Sequence, residues 1–483
     1  MRRSSIYGLD FSIENLSKLI SSKTLSPVDL IETTLEQISR LNPKLNGFIT
    51  VLEDSARSEA KNAESLINEG KYRGPLHGIP ISLKDLIYVK GVRSTSGSKI
   101  LADYVPEYDS TVLKKLRDAG AIIIGMNNTH EFACGITNVN PHYGSSKNPW
   151  DTSRMSGGSS GGSAVAVSAG MSAASIGTDT SGSIRVPSSL CGLFGLKPTF
   201  GRVSKHGVMP LAPSLDHIGP ITRSAWDSAA VLRIIAGYDR LDSSTVNLPV
   251  PDYLGVLFAN KVRATKFKLG IPKEFFFEVI DQKVMAIFGS FIDKIHECGI
   301  STISVNLEET DKIYETWRAL RLAESAATHS EWMKTRRGEY GDDVLVMLER
   351  GLEVTAVDYI KAQSVRQKLK AAFLNTMKGL DALVVPTTPV AAPFLDQKMV
   401  NINGRSLEVY QVLSRLTTVF DVTGLPVLNV PAGLVDGKLP VGVQLVGRPF
   451  DEGSILSMAY IYEKYHRISQ TMIPHIIKES GGE

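Results

Sequence analysis

Over the first 70 residues, apolar positions recur at helical spacing. Ile13, Leu16, Leu19 and Ile20 form one stripe within Phe11 to Ser22. Ser26, Pro27 and Asp29 read as the N-cap, first and third residues of a second helix, VDLIETTLEQISRL, with a capping-box-like start. A more charged helix is predicted from about Asp54 to Glu69. After Gly74 short, wholly apolar runs enter. Ile81, Ser82 and Leu83 read as a buried strand ending in Lys84, followed by a helix over Ser110 to Ala119 and a buried strand over Ala121 to Gly125. Further strands are expected at Ala173 to Ile176, Leu383 to Pro386 and Val427 to Val430. Between them, Tyr238 to Thr265 reads as a polar, proline-containing connection, after which KFKLGIP (Lys266 to Pro272) restarts a strand. Long helical patterns then run over about Asp281 to Glu297, Thr310 to Arg336 and Thr355 to Met377. Strands alternating with helices predict an α/β sheet covered by helices on both faces. The expected organisation is a helical segment over 1–70 packed on one large domain over 71–483, in which about 240–380 adds helices near the mouth of the site.

Composition narrows the class without adding chemistry. With 43% hydrophobic and 21% charged residues in 483, the chain is an ordinary globular one. A net charge of +3 gives no footprint for nucleic acid or an acidic membrane. Cys134, Cys191 and Cys298 are far apart and form no CxxC pair, so neither a disulfide framework nor a zinc site is expected. Arg2 and Arg3 precede no apolar run, no membrane span is expected, and a cytoplasmic location follows.

The chemistry concentrates in RMSGGSSGGSAVAVSAGMSAASIGTDTSGSIRVPSSLCGLFGLKPT, from Arg154 to Thr199. Two loops rich in glycine and serine, Ser156 to Ser163 and Thr178 to Ser183, flank a small-residue apolar segment, Ala164 to Ile176. Glycine costs backbone entropy and adds nothing to a core, so two such loops predict backbone held against a ligand. Serine is a weak nucleophile without a base, and a tetrahedral oxyanion needs converging N–H donors. No histidine lies in the stretch. Lys84, at the end of an apolar strand, is the candidate base, because burial lowers a lysine pKa toward the range where the neutral amine accepts a proton. Asp179 and Arg185 flank the second loop and are candidates to pair across it.

GIPISLKD, GGSSGGSAVAVSAG, DTSGSIRVPSSLCGLFGLKPTFGRVSKHGV and LDHIGPITRS resemble the amidase signature family, whose members use a Ser-cisSer-Lys triad. The resemblance implies a large mixed sheet with helices on both faces, Lys84 as base, Ser159 as bridging cis-serine and Ser183 as nucleophile. It implies an oxyanion hole from the N–H groups of Thr180, Ser181, Gly182 and Ser183, with Asp179, Arg185 and Ser160 in support. Where the family's commonest form has Gly-Gly before the nucleophile, this chain has Ser181-Gly182; a serine N–H serves provided its dihedrals are not glycine-only. The activity implied is hydrolysis of a small-molecule carboxylic amide through an acyl-enzyme, with no cofactor and no metal. The N-terminal segment packs on the core or forms a homodimer.

The family also contains the A subunit of the tRNA-dependent glutamyl/aspartyl amidotransferase, a glutaminase that feeds ammonia to a partner subunit. That enzyme grips glutamine with an Asp ten residues before the Gly of a GLP motif and with an Arg in a mid-chain helix. Here those places hold Ser414 and, within GDDVLVMLERG, Val346 or its neighbours, which favours a free-standing amidase with a less polar acyl pocket. Other readings are weaker. Gly157 to Gly161 satisfies the G-x-S-x-G elbow of α/β-hydrolases, but KNPWDTSRM before it reads as a loop rather than the required strand, and His466 and His475 read as part of a polar tail. Asp216 and His217 read as a loop supporting the core. An inactive binding protein on this fold would lack Lys84, Ser159 or Ser183, and all three are present.

Overall fold

The computed structural model describes residues 10–261 and 266–478. Arg2 and Arg3, and positions 262–265 at the end of the expected connection, lie outside the described residues. Its centre is an eleven-stranded mixed sheet. In spatial order the strands are Phe48–Val51, Ile122–Asn127, Pro80–Lys84, Ala174–Asp179, His217–Thr222, Phe194–Lys197, Val427–Val435, Leu439–Val446, Ala382–Pro386, Lys268–Pro272 and Ser301–Val305. Pro80–Lys84 runs parallel to both neighbours, and every residue in it and in Ile122–Asn127 is buried, which is why both read as unbroken apolar runs instead of alternating ones.

The expected helices are present with small shifts of boundary. Ser12 caps Ile13–Ser21, and Ser26 Oγ accepts from Val28 N–H and Asp29 N–H at the start of Pro27–Leu45. Glu53–Asn68, Thr111–Asp118, Gln282–Glu297 and Ala356–Thr376 follow as predicted. The expected Thr310 to Arg336 helix is divided into Ile313–Thr328 and Ser330–Thr335, with His329 between them. Behind the site, Trp317, Leu320, Phe373, Phe420 and Val427 share one core cluster that ties these helices to the sheet.

Four expectations need correction. The N-terminal 70 residues are not all helix: Phe48–Val51 pairs with Ile122–Asn127 as the edge of the main sheet. The connection from Tyr238 contains a helix, Tyr253–Lys261, whose Tyr253, Leu254 and Leu257 are buried; the prolines before it masked its short apolar face. His217 opens a buried strand instead of lying in a loop. His466 ends the long helix Glu452–His466, which is buried along most of its length and is not a polar tail; His475 opens the short helix His475–Lys478. Cys134, Cys191 and Cys298 are buried free thiols. Among the described residues no helix is long and apolar enough to cross a membrane.

Candidate active site

Register in the sheet sets the first half of the site. Leu83 pairs with Ile176 across two parallel strands, so Lys84, the last residue of its strand, stands beside the end of the next, where Thr178 lies. Lys84 is fully buried, with Nζ 2.7 Å from Ser159 Oγ and 2.8 Å from Thr178 Oγ1. Burial pushes its pKa down to about 7, and the negative charges of Asp179 and Asp216 only partly oppose that shift. A lysine so placed holds the neutral amine in much of its population near neutral pH.

The first glycine-serine loop brings Ser159 to that amine. The Gly158–Ser159 peptide is cis. Ser159 O accepts from His130 N–H and from Thr129 Oγ1, which fixes the loop from below. Ser160 Oγ donates to Thr178 O at 3.1 Å and accepts from Thr178 N–H at 3.3 Å, lacing the loop to the Ala174–Asp179 strand. The glycines let the backbone approach its neighbours: a Cβ on Gly161 would come within 2.6 Å of Asn138 Cβ. The apolar segment after the loop becomes the helix Gly161–Ser168 and then the strand Ala174–Asp179, so Thr178 and Asp179, expected in the second loop, belong to the strand.

The second loop presents Ser183. Ser160 N–H donates to Ser183 O at 3.2 Å, so the two loops are joined at the two serines. Asp179 organises this turn, accepting from Gly182 N–H at 2.7 Å, Ile184 N–H at 3.0 Å and Arg185 N–H at 3.3 Å. The Arg185 guanidinium, fully buried, pairs with Asp179 at 2.9 Å and with Asp421 at 2.7 Å. Burial alone would raise the Asp179 pKa, but the Arg185 charge outweighs it and holds the carboxyl well below the usual range. Asp421 is pushed well above its ordinary value, by burial and by the Asp179 charge.

Of the four N–H groups the resemblance assigns to an oxyanion hole, Gly182 N–H is therefore already committed to Asp179. Among the described residues, Thr180, Ser181 and Ser183 N–H make no backbone hydrogen bond outside regular elements. Ser181 is not among the residues with positive φ, so the serine at this place carries no backbone penalty. Gly182 does have φ +112°, and a Cβ there would meet Thr417 Oγ1 at 2.3 Å, so this position admits only glycine.

Sequence reasoning missed several residues that shape the site. Thr178 touches Lys84, Trp317 Nε1 donates to Ser181 Oγ at 3.1 Å, and Thr417 Oγ1 donates to Ser181 O at 2.6 Å. Asp216, read as loop support, accepts from Thr180 Oγ1 at 2.6 Å and lines a cavity of about 280 Å³ shared with Thr178, Thr180, Leu86, Ala133, Met209 and Leu211. Thr178 and Asp216 lie inside quoted motifs, yet nothing in spacing separates them from ordinary strand and turn residues; Trp317 and Thr417 come from helices remote in sequence.

The G-x-S-x-G elbow of α/β-hydrolases needs a sheet strand leading into it and a histidine on its serine. A strand, Asp151–Met155, does run into Ser156, against the expected loop. It pairs with Lys147–Asn148 in a two-stranded ribbon, outside the main sheet. The group on Ser159 is the Lys84 amine, while His466 is hydrogen-bonded to Lys294 O. Ser414 is buried, with its hydroxyl donating to Tyr410 O, and Val346 is 45% exposed on the helix Asp342–Leu352. Among the described residues no group of three or more His, Cys, Asp or Glu is placed to hold a metal ion.

Comparison with known proteins agrees with this architecture. A family profile described as Amidase matches residues 29–456. The chain is 37% identical over 480 residues to the A subunit of glutamyl-tRNA(Gln) amidotransferase from Geobacter sp. (strain M21), covering 94% of this chain and 97% of that protein. Among solved structures, the peptide amidase from Stenotrophomonas maltophilia superposes with a TM-score of 0.82 at 31% identity, covering 94% of this chain and 97% of that one. The A subunit of glutamyl-tRNA(Gln) amidotransferase from Thermotoga maritima superposes with a TM-score of 0.78 at 32% identity, covering 95% of each chain. With its mixed sheet, its buried lysine on a cis-serine and a profile match over most of its length, this chain belongs to the amidase family.

Proposed function

We propose that the protein hydrolyses a carboxylic amide to an acid and ammonia or an amine, through an acyl-enzyme on Ser183. The observation that carries this reading is the sealed Lys84 amine, 2.7 Å from the Ser159 hydroxyl, in a loop joined to that of Ser183. Neutral Lys84 accepts the Ser159 proton while Ser159 accepts that of Ser183, whose oxygen bonds to the amide carbon. The tetrahedral oxyanion is received by N–H groups among Thr180, Ser181 and Ser183. The relay then returns its proton to the leaving nitrogen, the C–N bond breaks, and water repeats the sequence to release the acid. Asp179 and Arg185 act by holding the turn, and Ser160 by holding the loop against Thr178. A fluorophosphonate probe tests the assignment: it labels wild type and not Ser183→Ala, and Ser159→Ala slows labelling. Labelling retained in Ser183→Ala would move the nucleophile elsewhere.

The similarity figures favour a second reading, as the A subunit of a tRNA-dependent amidotransferase that hydrolyses glutamine: relatives of that name are 36–37% identical over nearly the whole chain. Ser414 and Val346 support the free-standing amidase instead, since neither offers a charge to a zwitterion. Hydrolysis of simple amides by the isolated chain supports the first reading. Glutamine as sole substrate, with a rate raised by partner proteins and tRNA, decides for the second.

A further inference from the structure

Arg321 is a buried cation for which the described residues supply no anion. It lies on the helix Ile313–Thr328, 3% exposed, and among the described residues no carboxylate comes within ion-pair distance of it. Arg185, equally buried, has Asp179 and Asp421. The hydrogen bond Arg321 does make is from Nη2 to Cys134 O at 2.8 Å, and Nε is sealed without a partner. Guanidinium cannot shed its charge, so a buried one with a single neutral acceptor leaves most of its donors unpaired and its charge without a counter-ion.

Its neighbours reach the Ser183 turn and the cavity wall. Trp317, four residues earlier on the same helical face, reaches Ser181 beside the nucleophile. Cys134, whose carbonyl Arg321 holds, follows Ala133 on the cavity wall. The rings of Trp317 and Tyr410 flank the guanidinium, with its carbon 5.4 and 5.7 Å from their centroids. Such walls leave the edge of the fork for an acceptor lying in its plane. The carboxylates around Cys134 are already engaged, Asp216 by Thr180 Oγ1, Leu211 N–H and Ala212 N–H. Glu131 accepts from Ser98 Oγ, His142 Nε2 and Gly341 N–H, and Asp343 is paired with His130.

We propose that Arg321 receives a carboxylate of the substrate, so that the enzyme acts on amides bearing an anionic group a few atoms from the scissile bond. The proposal rests on the acyl-enzyme reading for the position of that bond. The carboxylate belongs either to a plain acid amide or to an amino acid such as glutamine. The assays below separate the two.

The test compares glutaramate with valeramide, which replaces its carboxylate by a methyl group, in wild type, Arg321→Gln and Arg321→Lys. Wild type prefers glutaramate in kcat/KM by about tenfold or more, the usual effect of a charged hydrogen bond. The ratio collapses toward one in Arg321→Gln and is partly restored in Arg321→Lys. Glutamine, run alongside, identifies the amino acid as the source if it outruns glutaramate with the same dependence on Arg321. Should neither amide turn over, glutarate is used to protect Ser183 from the fluorophosphonate; protection in wild type and none in Arg321→Gln supports the proposal. Equal treatment of glutaramate and valeramide by wild type overturns it, as does an equal loss on both in Arg321→Gln, which is what a purely structural arginine gives. Absence of glutarate protection when neither amide reacts also overturns it. Failure of the acyl-enzyme reading shows separately, as labelling that survives Ser183→Ala.

Discussion

On the proposed mechanism, the acid limb of the rate profile measures the proton on Lys84. With its pKa pushed down to about 7, roughly half of the molecules carry the neutral amine at pH 7, about a tenth at pH 6 and about a hundredth at pH 5. On a neutral amide, which does not itself titrate, kcat/KM therefore rises about tenfold per unit up to pH 7 and flattens above it. The informative perturbation is Thr178→Val, which keeps the shape but removes the hydroxyl 2.8 Å from Nζ. An ammonium offers three donors to its surroundings and the free amine two, so losing that acceptor disfavours the charged form. A hydrogen bond to a charged group contributes about 1.5–3 kcal/mol, or roughly one to two pKa units. The inflection in Thr178→Val should move to about pH 5–6, while the plateau falls because the amine is less well held. The measurement is kcat/KM from pH 4.5 to 9 for both proteins. A wild-type profile flat across that range, or an inflection that does not move in the variant, refutes Lys84 as the base.

Three other outcomes follow from the same coordinates. Lys84→Met should abolish hydrolysis yet raise the melting temperature by several degrees at pH 6; the folded pKa lies below the unfolded one, so the buried-ammonium cost, about 4–5 kcal/mol, is full below pH 7 and fades as pH rises toward 10. Melting curves at pH 6 and 9 check the sign, and a larger gain at pH 9 would contradict it. Arg185→Met removes the counter-charge of two buried carboxyls and should cost about 3–5 kcal/mol in unfolding free energy, read by chemical denaturation. Gly182→Ala should lower kcat at least a hundredfold with modest change in KM, because its Cβ displaces Thr417 from the turn carrying Ser183; steady-state kinetics reads this, and near-wild-type kcat would show that the turn yields.

The candidate site was legible because the chemistry proposed for it requires unusual sequence. A lysine closing an apolar strand, and glycines crowded among serines, are both costly without a use, and Lys84 and Ser159 are in contact. The sheet was legible where a strand is an unbroken apolar run, as at Ile122–Asn127, and illegible where it is short or interrupted by glycine and proline, as at Phe48–Val51 and His217–Thr222. The Leu439–Val446 strand escaped notice because its proline and glycine argue against a strand, although it pairs on both sides. Trp317 and Arg321 could not be found, since an indole and a guanidinium on an amphipathic helix look the same whether they face a core or a ligand. Only the partners decide.

The edge strand near the N-terminus has a bearing on how the chain is handled. Gly47 O, just before Phe48, accepts from Asn128 N–H, and Asn128 O accepts from Gly162 N–H at the start of the helix that follows Ser159. Two backbone hydrogen bonds, both through Asn128, thus tie the opening segment to the Ser159 loop. Trimming the first fifty residues to obtain a minimal enzyme would remove a brace from the serine loop, a strand from the sheet and the buried faces of Ile13–Ser21 and Pro27–Leu45, so alignment and core should be lost together.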